Sequence, residues 1–168
     1  GQFDLAQEYV DTADRLALDR MEWAFRRARL AIVRRDLPQA ATLLEDLIAS
    51  AGPHPVLSHD LAYVRLLAGD PAACRALLAP WLEPGAGAGL PPVQAQALEL
   101  LWLRASHRLQ ALDDAMARVR LLLERGALQP AAQGVASLVA FDAGEVELAQ
   151  TLADTALRAE PTQLEALV

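Results

Sequence analysis

A helix stop followed at once by a helix start recurs through this chain at a fixed interval. The clearest copy is Leu66-Leu67-Ala68-Gly69-Asp70-Pro71-Ala72-Ala73-Cys74, where a leucine-rich stretch runs into Gly69 and a new helix begins at Asp70-Pro71. Glycine accepts the left-handed backbone that ends a helix. Proline at a first helical position lacks only an N–H that would be unsatisfied anyway. Arg35-Asp36-Leu37-Pro38-Gln39-Ala40 lies 34 residues earlier, and Gly1-Gln2-Phe3-Asp4-Leu5-Ala6 lies 34 before that. Gln110-Ala111-Leu112-Asp113-Asp114-Ala115 and Gly144-Glu145-Val146-Glu147-Leu148-Ala149 are again 34 apart. The one irregular step, 41 residues from Gly69 to Gln110, contains Pro84-Gly85-Ala86-Gly87-Ala88-Gly89-Leu90, which accounts for the excess of seven.

Between these turns the apolar residues step by three and four, the period of an amphipathic helix. The spacing predicts nine full helices: Phe3 to Leu18, Arg20 to Arg34, Leu37 to Ser50, Val56 to Ala68, Pro71 to Leu82, Val93 to Leu109, Leu112 to Arg125, Pro130 to Ala143 and Val146 to Ala159. Thr162 to Val168 begins a further one. Hydrophobic residues make up 54% of the 168, mostly Ala and Leu with few β-branched or aromatic side chains, which favours helix over strand. The first residues fall in mid-repeat, so the chain reads as an excerpt of a longer protein. No signal peptide and no apolar run of about 18 residues is visible, and a bacterial cytoplasm or periplasm fits alike.

Charge and residue usage narrow the chemistry. The net charge of -7 argues against a binder of phosphate backbones. All 15 basic residues are Arg; there is no Lys and no Asn. The stripe Asp4, Glu8, Asp11 and Asp14 reads as a solvated face. The candidates for catalysis or metal binding are His54, His59, Asp60, His107 and Cys74. His54 and His59 miss the i, i+4 spacing of a helical metal pair. Cys74 stands where a small buried residue is required and reads as a packing thiol. Trp23, Trp81 and Trp102 lie at core spacing. No phosphate loop, cysteine cluster or serine elbow occurs, so neither enzymatic activity nor a cofactor is expected.

A helix–turn–helix unit of 34 residues resembles the tetratricopeptide repeat family. The small positions at which the family packs its paired helices fall on Ala28 and Ala40, Ala62 and Cys74, and Ser137 and Ala149, and the closing proline falls on Pro161. There are departures: Leu103 replaces the small residue facing Ala115, Trp81 and Leu122 occupy sites usually small, and Ala127 stands where the proline would be, so the third full repeat, next to the insertion, is expected to pack more loosely. The resemblance implies an all-α, right-handed superhelix, a solenoid of about four and a half repeats in one domain. Its parts are residues 1–18 (second helix of a truncated repeat), 21–54, 55–95 with the insertion 84–90, 96–129, 130–161 and 162–168.

In the family the first helix of each repeat lines a concave surface. By register the lining residues are Phe25 and Arg29, His59 and Tyr63, Leu100 and Arg104, and Gly134 and Leu138, each pair at i, i+4, with Arg26, His107 and Arg108 beside them. This set is basic and partly aromatic in an acidic chain. It implies a non-enzymatic interaction scaffold that holds an acidic, extended peptide or protein segment through arginine forks and apolar contacts. The arginines also admit a plainer role as complements to helix C-termini and solvated groups. The family's chaperone adaptors grip a terminal carboxylate with Lys and Asn; this chain has neither, so that mode is excluded. The alternatives are a structural spacer or assembly element, as in bacterial envelope complexes, and a regulatory arm fused to an enzyme. Apolar residues at the truncated ends, such as Phe3, Leu5, Val10 and Leu16, point to self-association there.

Overall fold

The computed structural model describes residues 20–83 and 89–159, with residues 5, 6, 8, 9 and 12 besides. Among the described residues from 20 to 159, eight helices follow one another: α1 (Arg20–Val33), α2 (Leu37–Ala51), α3 (Pro55–Leu67), α4 (Pro71–Leu82), α5 (Pro92–Arg108), α6 (Leu112–Glu124), α7 (Pro130–Asp142) and α8 (Val146–Ala159). Among the described residues there is no strand, and each helix starts and stops within about two residues of its expected place. Of the helix expected over Phe3 to Leu18, residues 5, 6, 8, 9 and 12 are described and all are helical. The stub from Thr162 to Val168 and most of the insertion lie outside the described residues. α5 starts at Pro92, ahead of the repeat boundary expected at residue 96.

The turns reproduce the period as backbone geometry. Arg35, Gly69, Gln110 and Gly144 all have positive φ, at 63°, 84°, 54° and 82°. In each case the next residue donates its N–H to the carbonyl five positions back: Asp36 to Ala31, Asp70 to Arg65, Ala111 to Ser106 and Glu145 to Ala140, at 2.8 to 3.0 Å. This is the closing bond of a Schellman motif. The same residue also opens the following helix. The Asp36, Ala111 and Glu145 carbonyls accept from the N–H groups of Ala40, Ala115 and Ala149, and the Asp36 and Asp70 carboxylates cap the N–H groups of Gln39 and Ala73. The two non-glycine residues carry the strain of a left-handed conformation.

The chain divides into two compact units, Gly1–Ala73 and Cys74–Val168, with the division inside α4. In the first, α2 packs against both α1 and α3. Ala28, Ala40 and Ala62 are fully buried, with Leu44, Leu47, Leu61 and Val64 around them. Cys74, at the start of the second unit, is fully buried as well. In that unit one core cluster runs from Leu103 and Met116 through Val135 and Val139 to Leu152. The α7/α8 hairpin is close-packed on Ser137 and Ala149, which are 5% and 6% exposed. The α5/α6 hairpin is looser, its backbones coming close at far fewer points, as Leu103 in place of a small residue requires.

What ties that looser hairpin together is a side chain on α6 that the register does not single out. Arg118 donates from Nε to Glu99 of α5 at 2.8 Å and from Nη2 to the other oxygen of the same carboxylate. Its Nη1 donates to the Leu82 carbonyl at the end of α4, at 3.0 Å. The two side chains are only 18% and 13% exposed. A bidentate guanidinium at that depth links three helices across the position where the insertion enters.

Gln110→Gly removes left-handed strain and is expected to stabilise the fold by roughly 0.5–1 kcal/mol. Gly69→Ala, with no neighbour within 4 Å of an added Cβ, is expected to cost about 1 kcal/mol through backbone strain alone. Denaturant midpoints measure both. Removing one partner of the buried pair, as in Arg118→Met, is expected to cost about 3 kcal/mol, with Glu99→Met added to it recovering a large part. A double variant no better than the single would show that the carboxylate is not what Arg118 serves.

Candidate functional site

The first helices of the hairpins, α1 and α3 in one unit and α5 and α7 in the other, carry the residues expected to line a surface. Helix α3 is set by its start. His54 accepts the Val56 N–H on Nδ1 at 3.3 Å and Pro55 takes the first helical position, so His54 is a capping group. One turn in, His59 and Asp60 face α1.

There Phe25, Arg29 and His59 come together around a residue that the register passes over, Asp60. The Arg29 guanidinium stacks on the Phe25 ring, 4.5 Å from its centroid, and its Nε donates to Asp60 Oδ2 at 2.9 Å. His59 Nδ1 lies 3.1 Å from Asp60 Oδ1. Both carboxylate oxygens are therefore occupied, and the Asp60 side chain is 10% exposed against 56% for Arg29. Burial by itself would raise the Asp60 carboxyl. The hydrogen bonds from His59 and Arg29, with their charges, outweigh it and hold the group below the usual carboxylate range. Tyr63 is half-buried one turn further along α3. Arg26 is engaged separately, over the Trp23 ring at 5.1 Å and with Glu22 one turn back.

In the second unit the expected residues have different surroundings. Leu100 packs against the buried core, Leu138 is half-buried and Gly134 is buried. His107 Nε2 is 2.9 Å from Asp142 Oδ2, which joins the end of α5 to the end of α7. Arg104 is half-buried and Arg108 exposed, and neither is without a partner. His107 thus has an acidic partner within this unit, Asp142.

The pairings missed in the sequence do have a sequence signal. Arg29 and Asp60 are separated by 31 residues and His107 and Asp142 by 35, each within about one helical turn of the 34-residue period. Opposite charges at such offsets sit on successive first helices at nearly the same height. Both Asp60 oxygens have partners, Cys74 is buried, and each histidine is engaged through one ring nitrogen. Among the described residues no group of three or more His, Cys, Asp or Glu side chains could hold a metal ion, and no helix is long and apolar enough to cross a membrane.

No protein-family model matches the chain, and no curated protein sequence matches it. A solved structure does. YrrB, described as a TPR protein with an unusual peptide-binding site, aligns with a TM-score of 0.71 at 16% sequence identity, over 99% of this chain and 82% of that one. That likeness, the eight helices and the left-handed turns in register together give this chain the fold of the tetratricopeptide-repeat proteins.

Proposed function

We propose that the chain is a non-enzymatic interaction scaffold whose first helices hold an extended segment of a partner polypeptide. The observation that carries this reading is the ordered pair Phe25–Arg29, a cation stacked on a ring and tethered by Asp60 yet more than half exposed. A side chain fixed on two sides has little rotamer freedom left to lose when it meets a ligand. The solved relative described as having a peptide-binding site supports the same class of partner.

A second reading, a structural spacer or assembly element, draws on a different observation. Arg65–Glu45, Arg75–Asp114 and His107–Asp142 each join one helix to another, and Arg120–Glu145 joins α6 to the turn before α8, so these side chains serve the frame itself.

Selection of peptides from a random library against the whole chain, followed by NMR mapping, separates the two. The scaffold reading predicts binders whose amide shifts fall on α1, α3, α5 or α7. Their affinity is expected to fall several-fold as salt rises from about 50 to 300 mM, because exposed charges are screened over roughly 6–14 Å in that range. Absence of binders, or shifts confined to the second helices, would give the spacer reading first place.

A further inference from the structure

We infer that the chain associates with itself, the α1/α2 turn of one copy docking on the α7/α8 turn of the next. This goes beyond the scaffold reading, because it uses the turns and not the first-helix surface. The α7/α8 turn lacks a cover that its counterparts have. Three residues before the left-handed position stand Ile32, Leu66 and His107 in the other turns, each half-buried or buried, whereas Phe141 is 61% exposed. Two residues after that position stand Leu37, Pro71 and Leu112, all half-buried, whereas Val146 is 58% exposed. An open recess runs along the same turn, lined among the described residues by Gly144, Glu145, Val146, Glu147 and Leu148. An exposed ring and an exposed valine beside a recess form an apolar contact surface.

Charge selects the occupant. Asp142 and Glu145 are engaged by His107 and Arg120, but Glu147 is exposed and makes no ion pair among the described residues. Two α7/α8 turns set face to face would bring Glu147 against Glu147. The α1/α2 turn offers the complement. Val33 is 61% exposed there, and Arg35 is exposed and makes no ion pair among the described residues. Of its neighbours, Arg34 is not without a partner and Asp36 caps α2. Arg35 also holds a φ of 63° where Gly69 and Gly144 stand in the matching turns, so a side chain is kept at that place against backbone strain. Val33 on Phe141 and Val146, with Arg35 against Glu147, sets apolar on apolar and cation on carboxylate. Each copy carries both halves, so the contact is heterologous and repeats from copy to copy. Its small area makes it weak, and its exposed ion pair makes it sensitive to salt.

The test is sedimentation velocity on the whole chain from about 10 µM to 1 mM, the range of a weak contact. The sedimentation coefficient is expected to rise with concentration at about 50 mM salt and to rise much less at about 300 mM. Arg35→Glu and Glu147→Arg, each shown to be folded by circular dichroism, are expected to stay monomeric alone, since like charges then meet. Mixed one to one they are expected to associate again, because each then offers the charge that the other's turn requires. Arg35→Gly is expected to lose association while raising the denaturant midpoint. Phe141→Ser is expected to weaken association about tenfold, and Arg158→Gln on α8 to leave it unchanged. A chain that stays monomeric at every concentration would overturn the inference. So would association that survives both charge reversals, which would put the contact on another face, and so would single variants whose mixture stays monomeric.

Discussion

The structure depends on one residue per hairpin that ends a helix and begins the next. At Asp36, Ala111 and Glu145 the backbone N–H closes the preceding helix while the carbonyl accepts the first bond of the following one. The residue just before each has positive φ. A turn of that shape leaves little freedom in the angle between the two helices. It also sets which residue of the second helix meets the first: Ala40, Ala115 and Ala149, the residues bonded to the turn, are all buried. Small side chains at those positions let the helix axes come close.

This constraint is also why so much of the fold was legible in the sequence. The turn needs glycine or a tolerant polar residue, then a helix starter, then a small residue four places on, and each is a residue type that can be counted along the chain. Element positions and buried small residues follow from that count. Arg118 escaped it because its partners are set by where Leu103 pushes α5 and where the insertion delivers the end of α4. Neither has a period. In the candidate site the register picks out Phe25, Arg29 and His59, which lie on α1 and α3 around Asp60, and passes over Asp60 because a lining pattern at i, i+4 skips the residue next to His59. Asp60 changes what Arg29 is: an arginine with one edge committed and one edge open, instead of a free cation.

The two units use charge differently. In the first, burial of Asp60 beneath Arg29 and His59 builds an ordered, exposed cation from groups that separately would be a buried charge and a mobile side chain. In the second, Arg118 holds a hairpin that small-residue packing does not close, and His107 meets Asp142 across successive repeats. Surface ion pairs contribute little stability one by one. The His107–Asp142 pair instead fixes registry, setting the end of α5 against the end of α7.

The measurement that tests the central claim most directly is the backbone conformation at the four turn positions in solution. Positive φ gives an intense intraresidue amide-to-α-proton contact, which right-handed helical and extended residues lack. The account predicts that signature at Arg35 and Gln110, neither of them glycine, with left-handed backbone at Gly69 and Gly144. Right-handed or extended backbone at Arg35 and Gln110 would contradict it, because the turns would then not recur and the repeat register drawn from them would be wrong.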